Sequence, residues 1–94
     1  MNWIFEIRDK SERKIHLSKE RLSHILKHKE MSNKIDDIKE VLKNPDVITT
    51  FEYDEDMKSY YKYHKERKEY LFVLVKYLNG EGYVITSFFT DKIK

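Results

Sequence analysis

Apolar and polar residues alternate over residues 3–7, with Trp3, Phe5 and Ile7 on one side and Ile4, Glu6 and Arg8 on the other. A period of two predicts a half-buried strand. Asp9, Lys10, Ser11 and Glu12 are turn formers. Ile15 and Leu17 then alternate over residues 14–17, so the spacing predicts an N-terminal hairpin. Next the period lengthens. Ser18 is an N-cap candidate with Glu20 in the first turn, and Leu22, Ile25 and Leu26 recur at helical spacing. These predict an amphipathic helix over residues 19–31. Asn33 is read as the cap of a second helix, whose apolar stripe is Ile35, Ile38, Val41 and Leu42. Asp36, Asp37 and Glu40 lie on its other side. Asn44-Pro45 ends it, because proline disfavours a helical residue before it.

Beyond Pro45 the pattern is that of strands. Residues 47–53 are β-branched and aromatic, and Asp54, Glu55 and Asp56 read as an acidic turn. Residues 60–64 read as a strand pairing back. Residues 70–78 (YLFVLVKYL) are nearly continuous apolar, as in a central strand covered on both faces. Residues 79–82 form a turn and residues 83–90 the last strand. The predicted class is α+β, one domain across residues 1–94. After a short hairpin, two helices pack on a four-stranded antiparallel meander. A symmetric final turn with Asn79 opposite Gly82 sets Lys76 against Ile85 and Val75 against Thr86. Val73, Val75, Val84, Thr86 and Phe88 then share one face. Phe72, Leu74, Lys76, Ile85, Ser87 and Phe89 share the other. Two helices cover only one of these faces. The second needs the hairpin, another copy of the chain or a ligand such as stacked bases.

Composition narrows the chemistry. The 94 residues include no cysteine, two glycines and one proline. That excludes disulfides, thiolate zinc sites and thiol nucleophiles, and fits a reducing, cytoplasmic setting. No glycine-rich phosphate loop is present. No apolar run nears the ~18 residues of a membrane helix, and residues 1–10 lack a secretory pattern. Nineteen Lys and Arg against seventeen Asp and Glu give a net charge of +2. Any cationic site must therefore come from local placement.

Arg21, His24 and His28 are three and four residues apart, on one stripe beside the apolar face of the first helix. They offer a guanidinium for phosphate and imidazoles for proton transfer near neutrality. The plain alternative is a solvated face. His24 and His28 also match half of a zinc site, but Ile25 stands where metalloprotease helices carry Glu, and neither His16 nor His64 has diagnostic spacing. No metal and no cofactor is expected. In YYKYHK (residues 60–65) rings and cations interleave, so Tyr61 could stack on a base and Lys62 meet a phosphate. Lysine protection of an edge strand explains the same pattern. Lys76, Thr86 and Ser87 interrupt apolar surface, which strand tolerance and a snorkelling lysine also explain.

Four segments in order, RLSHILKHKE, LKNPDVI, YYKYHKE and LFVLVKYLNGEGYVITSFFTDKI, resemble the phage and prokaryotic members of the barnase–EndoU–colicin–RelE nuclease group. The resemblance spans residues 14–93 and rests on order and spacing. It implies a RelE- or barnase-like fold. It also implies a metal-independent ribonuclease, a toxin of a toxin–antitoxin pair or a phage-associated effector, with RNA as substrate and an antitoxin as partner. The matching positions are Arg21, His24, His28, Lys62, Lys76, Thr86 and Thr90. Ser87 departs from the alanine more usual there. The implied chemistry is attack of a 2′-oxygen on the adjacent phosphorus. His24 leads as base or acid, Arg21, Lys62 or Lys76 stabilises charge, and Thr86 bonds a phosphate oxygen. A non-catalytic RNA- or protein-binding module on the same fold is the competing expectation.

Overall fold

The computed structural model describes residues 3–93. Strands β1 (Trp3–Arg8) and β2 (Lys14–Ser18) form the predicted hairpin. Helix α1 (Lys19–Ile25), a single 3₁₀ turn (Lys29–Met31) and helix α2 (Ile35–Lys43) follow. Strands β3 (Val47–Phe51), β4 (Asp54–His64), β5 (Glu69–Leu78) and β6 (Glu81–Thr90) complete the order. The α+β class is as expected, but the sheet is larger than a four-stranded antiparallel meander. Six strands lie in the order β1-β2-β6-β5-β4-β3, and β2 runs parallel to β6. The hairpin therefore extends the sheet instead of covering it. The parallel joint is short, pairing Ile15 with Gly82 and His16 with Tyr83.

Both helix boundaries have local causes. The Ser18 hydroxyl accepts the Arg21 N–H at 3.1 Å, so the expected cap is in place. The helix closes at Ile25, a turn and a half short of the expected end, and His28 lies outside it with an extended backbone. Asn33 does not cap α2. It takes a left-handed φ of 59°, and Lys34 occupies the cap position without a side-chain bond. Asp54, Glu55 and Asp56 are not a turn either. They begin β4, and the reversal falls at Glu52 and Tyr53.

The last hairpin differs in register. Leu78 pairs with Glu81, so Asn79 and Gly80 alone form the turn, with φ of 54° and 82°. Positive φ at both central residues is the type I′ pattern that suits strand twist. Ile85 then bulges, since Val75 pairs with Val84 and Leu74 with Thr86. One extra residue exchanges the faces of everything beyond it. Ser87 and Phe89 turn to the helices, while Thr86, Phe88 and Thr90 turn away. Thr86 and Phe88 thus join Phe72, Leu74 and Lys76 on one face, contrary to the symmetric-turn expectation.

The core lies on the helix side. Ile25, Met31, Ile38, Val41 and Leu42 pack on Ile15, Leu17, Leu71, Val73, Val75 and Val84, all nearly inaccessible. A buried polar group closes one end. Asp9 accepts Tyr77 Oη at 2.7 Å and Tyr60 Oη at 3.2 Å on one oxygen. On the other it accepts the Ser11 N–H, Ser11 Oγ and Arg13 N–H at 2.8–2.9 Å. The two tyrosine hydroxyls also bond each other, and the Arg13 guanidinium lies 3.8 Å over the Tyr77 ring. Burial pushes the Asp9 carboxyl up, but bonds from Tyr77, the Arg13 N–H and Ser11, with the Arg13 charge, hold it below its ordinary value. Burial raises both tyrosines, so they remain donors. No helix among the described residues is long and apolar enough to cross a membrane.

Candidate nucleic-acid interface and active site

The face away from the helices carries the chemistry. Residues paired across strands share a face, so Tyr61, Phe72 and Phe88 form a row across β4, β5 and β6. Their rings are in contact: Tyr61–Phe72 at 5.3 Å and Phe72–Phe88 at 4.9 Å between centroids. The His28 ring continues the row 5.5 Å from Phe88. It can do so because β2 pairs with only the start of β6. Segment 19–31 runs beside the remainder and brings His28 around that free edge.

Strand β3 closes the other end of the row. A register break between Thr50 and Phe51 curls the β3–β4 hairpin, leaving a concavity of about 410 Å³. Thr49, Ser59, Tyr61, Phe72, Phe88 and Thr90 line it, with Lys92 at the rim. Its size is within the ~300–1,000 Å³ usual for small-ligand sites. The Ser59 hydroxyl is buried there and makes no hydrogen bond to another described residue. The Thr90 hydroxyl reaches only the backbone of Lys92, at 3.3–3.4 Å.

The other sequence-predicted residues divide. Arg21 and His24 are exposed on α1, and their side chains bond no other described residue. Thr86 lies on the aromatic face, paired with Leu74. Lys76 shares that face, but its Nζ donates to Asp54 Oδ2 at 2.5 Å. This bond, then the Asp56 N–H, holds the Asp54 carboxyl below its ordinary value, so the Lys76 charge is already matched. Lys62 is on the opposite face from Tyr61. Its Nζ donates to the Asn44 carbonyl at 2.9 Å and lies 4.0 Å from Asp46. It fastens the exit of α2 to β4, which accounts for the joint presence of LKNPDVI and YYKYHKE in the sequence.

A second histidine cluster lies farther along the same face. His16 Nε2 is 2.5 Å from Glu81 Oε1, and Nδ1 is 3.3 Å from Glu6 Oε1. The rings of Trp3 and Tyr83 flank it at 4.5 and 5.1 Å and leave it 4 % exposed. This cover makes His16 a clamp between β1, β2 and β6 and keeps it from substrate. Among the described residues, no group of three or more His, Asp or Glu is arranged to hold a metal ion.

Sequence reasoning missed Ser59, Phe72 and Phe88 as a site. The apolar run over 70–78 did signal a second face needing cover. Only the bulge at Ile85 puts Phe88 beside Phe72, and no local pattern marks it.

A curved sheet backed by helices on one face and lined with rings on the other is a build that nucleic-acid-handling domains use. The chain belongs to the phage-Barnase-EndoU-ColicinE5/D-RelE like nuclease2 family, whose model matches residues 5–94. It is thus a member of a nuclease family, with nucleic acid as the substrate class. No curated protein and no solved structure matches it.

Proposed function

We propose that this protein is an endoribonuclease that cleaves RNA without a metal. The observation that carries the reading is the His28 ring at the end of the aromatic row, 5.5 Å from Phe88. RNA stacked along that row brings a phosphodiester to an imidazole that is open to solvent. One histidine takes the 2′-hydroxyl proton. The 2′-oxygen bonds to phosphorus, the bond from phosphorus to the 5′-oxygen breaks, and a second group protonates that oxygen. His24 and His28 divide these two transfers. Arg21 faces the charge that builds on the non-bridging oxygens, and Thr86 donates to one of them. Lys76 joins once it leaves Asp54. Tyr61 and Thr90 hold the strand. Lys62, on the other face, contributes by anchoring β4. The setting that fits is a toxin with a cognate antitoxin, or a phage-associated effector, acting on cytoplasmic RNA.

RNA binding without cleavage is the second reading. One observation favours it: neither His24 nor His28 has a carboxylate partner among the described residues to orient its ring. The experiment is incubation with labelled RNA and matching DNA in EDTA, with His24→Ala and His28→Ala alongside. RNA fragments ending in 2′,3′-cyclic phosphate, intact DNA and at least a hundredfold loss in either variant are expected. Equal cutting of DNA, or loss of cutting with chelator, refutes the transesterification reading. Salt-sensitive binding with intact RNA supports the non-catalytic one.

A further inference from the structure

We propose that the concavity between the β3–β4 hairpin and β6 holds one unpaired nucleobase, so that the enzyme selects single-stranded RNA. This rests on the ribonuclease reading and adds to it the form of the substrate.

Three observations support it. The floor is aromatic: Phe72 is 9 % exposed and Tyr61 3 %, and both rings line the hollow. Rings stack on any base, because every base has a π-face. The floor is also polar at one point. Ser59 is 2 % exposed, lines the concavity and leaves its hydroxyl without a partner among the described residues. An apolar protein side chain seated there leaves that hydroxyl unsatisfied, whereas the edge of a base supplies a donor or acceptor. Finally, the hollow opens along the ring row towards His28, and Lys92 stands at its rim. A base in the hollow sends its own backbone past a cation and towards the histidine. A base inside a duplex cannot enter, since both its π-faces are already stacked and its pairing edge is engaged.

The test uses a short 2′-fluoro RNA strand, which has no 2′-hydroxyl and is not cut by this chemistry. Its affinity is compared with that of an abasic strand of equal length and charge, and with its own duplex, by fluorescence anisotropy. The base-bearing single strand should bind about tenfold or more tightly than either. Phe88→Leu should remove most of that difference. Ser59→Ala, which keeps the sheet intact, should weaken the base-bearing strand and leave the abasic one unchanged. Equal binding of base-bearing and abasic strands by the wild type overturns the proposal, as does an undiminished difference in both variants. Base-selective binding in a protein that cuts no RNA upholds the subsite while refuting the ribonuclease reading. RNA cleavage without base-selective binding does the reverse.

Discussion

Gly82 shows how one residue serves the whole sheet. In sequence it reads as part of a turn, yet it sits in β6 opposite Ile15, at the only parallel joint among the described strands. A Cβ there would lie 2.9 Å from Tyr77 Cε1, 2.9 Å from Val75 Cγ1 and 3.1 Å from Ile15 Cγ1. Gly82→Ala should therefore destabilise the protein by about 1–3 kcal/mol, measured as a lower urea midpoint with unchanged slope. Asp9 is the second such residue. Asp9→Asn replaces an acceptor oxygen by a donor amide among five donors, and should cost about 1–3 kcal/mol. The Asp9 carboxyl lies below its ordinary 3.8 in the folded state. Its stabilisation is complete above that value and is lost as pH falls through the lower, folded one. The stability gap between wild type and Asp9→Asn should thus be constant near neutrality and close in acid. A gap that widens in acid would contradict the assignment.

At the scale of elements, the predicted strands and helices are nearly all present, and the differences lie at their ends and in their pairing. The Ser18 cap, the apolar stripe of α2 and the stop at Asn44-Pro45 are local signals, and all three hold. The end of α1 is not local. His28 leaves the helix to meet Phe88, and Met31 turns into the core. The bulge at Ile85 is equally invisible in the pattern, because β5 and β6 are apolar on both faces and no alternation exposes the slip. It has a direct test. Deleting Ile85 should return Thr86, Phe88 and Thr90 to the helix side and push Ser87 and Phe89 out. The expected result is loss of cooperative unfolding by circular dichroism, where removal of an ordinary loop residue leaves the transition in place.

For the whole molecule, the chain's small net charge sets a limit on how it holds RNA. Lys76 is matched by Asp54, and Lys62 is spent on the far face. Arg21 and Lys92 are the cations left beside the aromatic row. With two or three phosphates neutralised, affinity for a single strand should fall with salt at a slope of about −2 on logarithmic axes. A much steeper slope would place the contact on a basic surface elsewhere. Affinity then comes chiefly from the rings, as the nucleobase proposal requires.

The sequence by itself determined the elements, the α+β class, the family and the histidine-bearing segment, since period, caps and breakers act within a few residues. The tertiary structure alone decided that the hairpin joins the sheet edge, that Phe72, Phe88 and His28 share a face, and that Lys62 and Lys76 are engaged. Those outcomes depend on register and on contacts between residues far apart in the chain, where one bulged residue reverses every side chain beyond it.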